Sequence, residues 1–258
     1  FTLGWLGWYA GAQLSIVNIL VYLQAPFAGL DWSFYLVEPL IVLIAAYTLI
    51  TLVLWGRSMF CGWLCPFGAL QELLAHVAGF FRVPQINIPY GLQKRLWMFK
   101  YAVVLAVIPL AFVSAELGAA VTEVEPFKTA ISSQFSRSWP YVFYAVSLLG
   151  VGLTIERFYC RFVCPLGGAL AILGRFHILR FLKRRTECGS PCNLCEVSCP
   201  VGAIAPDGAV RHEECFYCLD CQVEYFDEHR CPPLTQQRRA RVPGMPPGLG
   251  ALASGRQG

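Results

Sequence analysis

The sequence predicts a mostly α-helical membrane protein, in which a bundle of four spanning helices precedes a small, cysteine-rich α+β domain. The first observation is composition: 56% of the 258 residues are hydrophobic and only 14% are charged, whereas soluble domains carry about 25% charged residues. The second is that long apolar runs recur four times, and the third is that eight of the 12 cysteines crowd into residues 188–231. The net charge of +4 is too small to indicate a nucleic-acid partner.

The four apolar runs are the predicted membrane spans, because about 20 apolar residues cross a bilayer. They lie at residues 4–23, 39–55, 97–115 and 139–155, within a bundle predicted to cover residues 1–182. Lys100, near one end of the third run, is expected to extend its ammonium group to the membrane interface. The segment after the second run and the segment after the fourth are basic, and the other loops are acidic, so the basic ends are predicted to be cytoplasmic.

A motif of the form C-x3-C-P occurs twice, at the inner ends of the second and fourth runs. Residues 60–68 (FCGWLCPFG) match residues 159–167 (YCRFVCPLG). Proline disfavours the helical conformation in the residue before it and suits the first turn of a helix, so the second cysteine of each copy is predicted to cap a re-entrant or interfacial helix. Three roles are open for the thiols: a redox-active pair, a soft-metal site such as Cu(I), or packing around a cofactor path. The alternative is that the motif only shapes a helix break. The four candidates are Cys61, Cys65, Cys160 and Cys164.

The second group of cysteines has the spacing of an iron–sulfur protein. It reads C-x3-C-x2-C-x3-C-P from residue 188 and C-x2-C-x2-C-x9-C-P from residue 215, which is close to the C-x2-C-x2-C-x3-C-P run of bacterial two-cluster ferredoxins. In those proteins the fourth cysteine of each run ligates the other cluster. One [4Fe–4S] cluster is therefore predicted to bind Cys188, Cys192, Cys195 and Cys231, and the other Cys215, Cys218, Cys221 and Cys199.

Two departures from the ferredoxin spacing stand in this group: the first gap has one extra residue, and the nine-residue gap before Cys231 is long. Zinc is the rival metal, since a site with four cysteine ligands fits two C-x2-C pairs. A zinc site does not need the third cysteine at x2 spacing or the closing C-P, so the pattern favours iron–sulfur clusters.

The segment between the two cysteine runs predicts a small α+β, ferredoxin-like domain over residues 183–234. Asp207-Gly208 is a turn signal, and Ala203–Ile204 and Val210 can flank it as short strands. Residues 235–258 are rich in Arg, Gly, Pro and Gln, which predicts a flexible tail. No catalytic residues are predicted, and the chain is interpreted as an electron-transfer component rather than a stand-alone enzyme.

Two C-x3-C-P motifs together with a C-terminal two-cluster module resemble the NosR/NapH family of polyferredoxin-like membrane proteins. The resemblance implies a multi-pass protein of the bacterial inner membrane with its iron–sulfur domain in the cytoplasm. It implies a role in nitrous-oxide reduction, by electron supply to the periplasmic copper reductase or by maturation of its copper site. Quinol or a cytoplasmic donor is expected to supply electrons. FMN is expected on an N-terminal domain ahead of this region and not on this chain.

Two other functions stay open from the sequence. One is a copper-binding or copper-reducing assembly factor that uses the C-x3-C-P thiols, as in the related CcoG-like copper-oxidase assembly proteins. The other is a regulator whose clusters sense redox state or oxygen. The basic tract at residues 183–185 is interpreted as a membrane-surface anchor and not as a nucleic-acid site.

Overall fold

Short and medium helices make up most of the computed structural model, which describes residues 1–20, 39–113, 123–190 and 192–241. The α-helices are α1 (Pro39–Trp55), α2 (Pro66–Phe80), α3 (Tyr90–Val113), α4 (Trp139–Gly152), α5 (Phe158–Phe162), α6 (Pro165–Leu173), α7 (Leu194–Val197), α8 (Asp220–Phe226) and α9 (Pro232–Arg241). Wider π-helical turns occupy Thr2–Tyr9, Phe60–Leu64 and Lys128–Ser132, and a 3₁₀ turn occupies Gly174–Phe176.

The predicted four-span bundle is wrong: within the described ranges, no helix combines the length and the apolar character that crossing a membrane requires. The reason is that the backbone interrupts the apolar runs. The first run leaves its helical turn at Ala10 and reverses at Gly11 (φ 61°). Helix α1 has 17 residues and α4 has 14, or about 26 and 21 Å at 1.5 Å per residue. Helix α3 is longer, but its first half carries three cations.

The predicted α+β domain is also wrong, because the part of the chain that the structure describes contains no strand, only two isolated β-bridges. One of them, the antiparallel bridge between Ile204 and Val210, closes the predicted turn, and Gly208 takes a φ of 81° there. In the described ranges, the segments on either side of the turn pair through this one bridge, so they do not form strands. Helix α9 occupies residues 235–241 of the predicted tail, and residues 242–258 lie outside the described ranges.

The core forms where the two C-x3-C-P copies meet. The rings of Phe67, Phe127 and Tyr159 pack with centroid distances of 5.1 to 5.8 Å. Helix α6 packs on α3 at Gly168, where an added Cβ would lie 2.8 Å from Val104 Cγ2. Outside this core, α1, α3 and α4 leave large apolar side chains exposed: Leu43, Leu49, Ile50, Val53, Leu105, Phe112, Phe143 and Val146.

Candidate iron–sulfur site

Four of the predicted cluster ligands line one small cavity. They are Cys199, Cys215, Cys218 and Cys221, the set that the crossed ferredoxin rule assigns to a single cluster. The cavity walls are otherwise apolar and include Val201, Ile204 and Phe216. Cys199 and Cys221, which are 22 positions apart at the extremes of the set, therefore border one cavity, because the turn at residues 205–209 returns the chain.

Backbone groups support thiolate sulfurs at this cavity. The Ala203 N–H donates to Cys199 Sγ at 3.3 Å, and the Tyr217 N–H donates to Cys215 Sγ at 3.4 Å. Burial raises the pKa of the Cys215 thiol to about 12, so at neutral pH this sulfur is protonated unless a bound cation replaces the proton. Metal ions deprotonate coordinating thiols outright, and N–H···S hydrogen bonds tune iron–sulfur centres. The donor set fits such a centre.

The other predicted set is joined by two consecutive arginines. Cys188 and Cys192 lie side by side in a parallel bridge. The guanidinium group of Arg184 is buried beside Cys195. Burial raises the pKa of the Cys195 thiol, and the adjacent Arg184 charge opposes the rise. Arg185 Nη1 donates to Cys231 Sγ at 3.1 Å. As the chain stands in the described ranges, no three Cys, His, Asp or Glu side chains are close enough to hold a single metal ion.

A buried ion cluster ties the Cys215 loop to the helices. The Glu214 carboxylate accepts hydrogen bonds from Lys100 Nζ, from Arg57 Nη2 at 3.3 Å and from the Tyr101 hydroxyl at 2.7 Å. Lys100 is 0% exposed and Arg57 is 1% exposed. The interfacial position predicted for Lys100 is therefore wrong. The sequence offered one signal for this cluster, a lone lysine inside an apolar run, but its partner lies 114 positions away.

The first C-x3-C-P copy contacts the same loop directly. Ser58 Oγ donates to the Cys215 carbonyl at 2.7 Å, and Trp63 Nε1 donates to the Tyr217 carbonyl at 3.2 Å. Between them, Gly62 faces the Phe216 carbonyl so closely that an added Cβ would lie 2.1 Å from its oxygen. The motif and the cluster loop are thus packed backbone to backbone.

Both C-x3-C-P copies begin helices as the prolines predict. Cys65 and Cys164 have extended ψ angles of 112° and cap α2 and α6, with proline in the first turn of each helix. The Gly167 N–H donates to Cys164 Sγ at 3.2 Å, and Gln13 Nε2 donates to Cys65 Sγ at 3.6 Å. The predicted capping is confirmed, and all four motif cysteines are buried.

Comparison with known proteins matches both cysteine regions to family models. The family model described as NosR matches residues 186–242, and the model described as a 4Fe-4S binding domain matches residues 37–84 and 138–186. The chain is 49% identical to the regulatory protein NosR of Pseudomonas aeruginosa. The matched region covers 95% of this chain and 34% of the length of that relative. A second P. aeruginosa protein named NosR is 52% identical over 32% of this chain and 82% of its own length. The chain belongs to the NosR family.

Another member of the family is similar along most of the chain. Protein NirI of Paracoccus denitrificans is 48% identical over 94% of this chain and 36% of its own length. The chain spans about a third of the length of the longer NosR relatives that it matches. No solved structure matches the chain. Family membership therefore confirms the resemblance inferred from the motifs, and the 4Fe-4S matches support iron–sulfur binding.

Proposed function

We propose that this NosR-family chain is an iron–sulfur electron-transfer component that supports nitrous-oxide reduction. The observation that carries the proposal is the cavity lined by Cys199, Cys215, Cys218 and Cys221, which are one complete ligand set under the crossed rule. We assign the second set to Cys188, Cys192, Cys195 and Cys231, giving two [4Fe–4S] clusters in the C-terminal region. When bound, such clusters supply one-electron transfer.

The chain's own residues hold and tune these sites. Apolar side chains form most of the wall of the first cavity, and the N–H groups of Ala203 and Tyr217 stabilise negative charge on two of its sulfurs. At the second set, the buried guanidinium group of Arg184 lies beside Cys195 and can donate to cluster or cysteine sulfur. Hydrogen bonds and positive charge near the sulfurs raise the reduction potential, because the reduced cluster carries the extra negative charge.

The proposed setting is the bacterial cytoplasmic membrane, with the cluster region on the cytoplasmic side. The exposed apolar side chains of α1, α3 and α4 support contact with lipid, and the basic segment at residues 180–185 suits an anionic surface. Quinol or a cytoplasmic protein would donate the electrons. They would serve the periplasmic nitrous-oxide reductase directly or the maturation of its copper site, with FMN on an N-terminal domain of the family and not on these residues.

The test is the iron content and spectrum of the anaerobically purified chain. The Cys215→Ser/Cys221→Ser variant should lose about four iron atoms and one reduced [4Fe–4S] EPR signal, while Ser136→Ala, at an exposed position outside both ligand sets, should lose neither. Iron that is unaffected by the double substitution would refute the proposal, as would zinc in its place. Variants that lose the cluster yet still support nitrous-oxide reduction, while altering transcription, would favour the regulatory function instead.

A further inference from the structure

A large cleft lies between helix α2 and the Cys215 loop. Its volume is about 720 Å³, which is within the range of about 300–1,000 Å³ that small-molecule sites occupy. Two aromatic residues line it, Trp63 beside the first C-x3-C-P copy and Phe216 in the loop, and Trp63 is 56% exposed. Cys218 borders the same space. A small molecule in this cavity, named here the Trp63 cleft, would therefore lie against a proposed cluster ligand.

Helix α2 has two different faces beside the Trp63 cleft. One face, at helical spacing, lines the cleft: Glu72, His76 and Gly79. The neighbouring face leaves large apolar side chains exposed: Leu73, Val77 and Phe80. Exposed apolar patches of this kind mark contact with lipid or with apolar ligands. A molecule that moves along the apolar face arrives directly at the polar one, so the cleft suits a ligand that has a polar ring and is soluble in lipid.

Two side chains of the cleft are suited to accept protons. His76 Nδ1 lies 2.9 Å from the Glu72 carbonyl oxygen. Because a carbonyl only accepts hydrogen bonds, Nδ1 carries the hydrogen of the neutral ring, which leaves Nε2 to accept a proton. Glu156 lines the same cleft and is half-buried. Burial raises the pKa of its carboxyl group, which favours uptake of a proton by the carboxylate.

A buried arginine holds the walls of the cleft together. Arg157 Nη2 donates to Glu72 Oε2 on α2, and Arg157 Nη1 donates to the Cys61 carbonyl at 3.5 Å. The same guanidinium group lies over the ring of Phe216, 5.1 Å from its centroid. The side chain of Arg157 is only 6% exposed. Helix α2, the first C-x3-C-P copy and the Cys215 loop are thus joined through one cation, so the cleft is formed before a ligand enters it.

The cleft reaches both cysteine runs of the first proposed cluster. A smaller cavity of about 380 Å³ shares Gln85, Glu156 and Pro200 with the Trp63 cleft, and Cys199 lines it. Cys199 and Cys218 belong to the same proposed ligand set. Glu156 therefore lies where the two cavities meet, beside both cysteine runs.

We propose that the Trp63 cleft binds a lipid-soluble hydroquinone, whose two protons pass to His76 and Glu156. The inference rests on the proposed electron-transfer function, which supplies the electron acceptors. Both O–H bonds of the hydroquinone break and the ring becomes a quinone. One proton passes to His76 Nε2 and the other to the Glu156 carboxylate. The two electrons pass one each to the two oxidised [4Fe–4S] clusters, so the step balances. The apolar approach along α2 favours this small donor over a soluble redox protein.

The first test is photoaffinity labelling of the unmodified chain, mapped by mass spectrometry. An azido-benzoquinone and an azido-naphthoquinone are used separately, and the pair distinguishes the two kinds of quinone ring. One or both should label residues 62–79, and an excess of decylubiquinone or menadione, respectively, should prevent the labelling. Labelling confined to α1, α3 and α4 would show only partition onto apolar surface and would overturn the proposal. An absence of labelling with both probes would also overturn it.

The second test fills the cleft. Gly79 lines the cleft, and an added Cβ there meets nothing within 4 Å in the described chain, so phenylalanine fits without displacing the backbone. Gly79→Phe should lose the labelling of residues 62–79 and keep its iron and its melting temperature. Gly150→Phe in α4 is the matched control, because its Cβ also enters open space; it should keep all three. Undiminished labelling in Gly79→Phe would show that the ligand binds elsewhere.

The third test separates proton transfer from electron transfer. The chain is reduced with dithionite and its clusters are reoxidised with decylubiquinone or with ferricyanide, which takes electrons without protons. Quinone reduction reverses the proposed step, so the same groups return the protons, and a positioned proton donor contributes about 10²–10⁴-fold to a rate. Glu156→Gln should therefore slow reoxidation by the quinone about 100-fold and leave the ferricyanide rate unchanged. The exposed control Glu228→Gln should change neither rate. A wild-type quinone rate in Glu156→Gln would refute the role of Glu156.

Failure of this inference is distinguishable from failure of the proposed function. A chain with its full iron content and both EPR signals, but without labelling of residues 62–79, refutes the quinone site alone. A chain without clusters refutes the proposed function, and the labelling experiment still reports whether the cleft binds a quinone.

Discussion

Gly62→Ala should separate the cluster loop from the first C-x3-C-P copy. The added Cβ would stand 2.1 Å from the Phe216 carbonyl oxygen, and contacts between non-bonded heavy atoms are optimal at about 3.5 Å. The atom that must yield is backbone, held between the proposed ligands Cys215 and Cys218, so a side-chain rotation cannot relieve the overlap. The loop must move by about 1 Å or more to restore that spacing, and overpacking of this kind costs about 1–3 kcal/mol.

The assay for Gly62→Ala combines thermal unfolding with iron analysis. A loss of about 2 kcal/mol lowers the melting temperature of a chain this size by about 4–8 °C, and the displaced loop should release iron from the cavity at Cys215. The matched control is Gly150→Ala in α4, where an added Cβ meets nothing within 4 Å. Alanine there should stabilise the helix by about 0.5–1 kcal/mol. A Gly62→Ala protein with wild-type melting and full iron would refute the close packing of motif and loop.

Three further predictions concern buried charge. Burial raises the pKa of Glu125 from 4.5 to about 8, so between those values the folded chain binds a proton that the unfolded chain has lost. The stability of the wild type should therefore fall as pH rises from 4.5 to 8, by up to about 1.4 kcal/mol per pH unit. Glu125→Gln should abolish this fall in stability. Melting temperatures of the variant and the wild type that change in parallel with pH would contradict the prediction. Glu214→Gln should cost about 3–5 kcal/mol in denaturant unfolding, because it leaves two buried cations uncompensated; a loss no larger than that of the less buried Glu213→Gln would argue against the ion cluster. Arg184→Leu should lower a cluster reduction potential in a redox titration, and a potential equal to that of Lys183→Leu, an exposed control, would show that Arg184 does not face the cluster.

Local chemistry predicted the cysteine geometry well. The proline after Cys65 and after Cys164 predicted extended cysteines that cap helices, and both have that backbone. The turn at Asp207-Gly208 was predicted from two residues and is present. These features depend on neighbours in sequence, where steric rules act without help from the rest of the fold.

Hydropathy predicted the extent of the helices less well than the prolines predicted their N-terminal caps. A run of apolar residues records composition, but it does not record where the backbone reverses. Gly11 has a φ of 61°, and helix α4 ends at Gly152, so the first and fourth runs each meet a helix break that an apolar window passes over. The same window treats Thr2–Tyr9 as the start of a span, although it forms a separate π-helical turn.

The sequence carries only one signal of the buried ion cluster, the lone Lys100 inside an apolar run, and it does not identify the partner of that lysine. Glu214 and Lys100 are separated by 114 positions, and neither residue type is normally fully buried. Only the folded chain shows that the glutamate beside a cluster ligand supplies the counter-charge for a lysine in an apolar helix. Long-range pairs of this kind have no local pattern, so a single sequence does not contain their signal.

Equivalent positions in the two C-x3-C-P copies both contact the C-terminal region. Gly62 in the first copy corresponds to Arg161 in the second, since each follows the first cysteine of its motif. Gly62 packs on the Phe216 carbonyl, and Arg161 Nη1 donates to the Pro200 carbonyl at 3.4 Å.

Those two carbonyls belong to the two cysteine runs that line one cavity, since Phe216 follows Cys215 and Pro200 follows Cys199. The first copy of the repeat therefore contacts the Cys215 side of the cavity, and the second copy contacts the Cys199 side. The crossed ligand set needs its two cysteine runs at a fixed separation, and residues 201–214 join them through a single bridge with little rigidity of their own. Because each motif copy contacts one of the two runs, we expect the paired motifs to fix that separation.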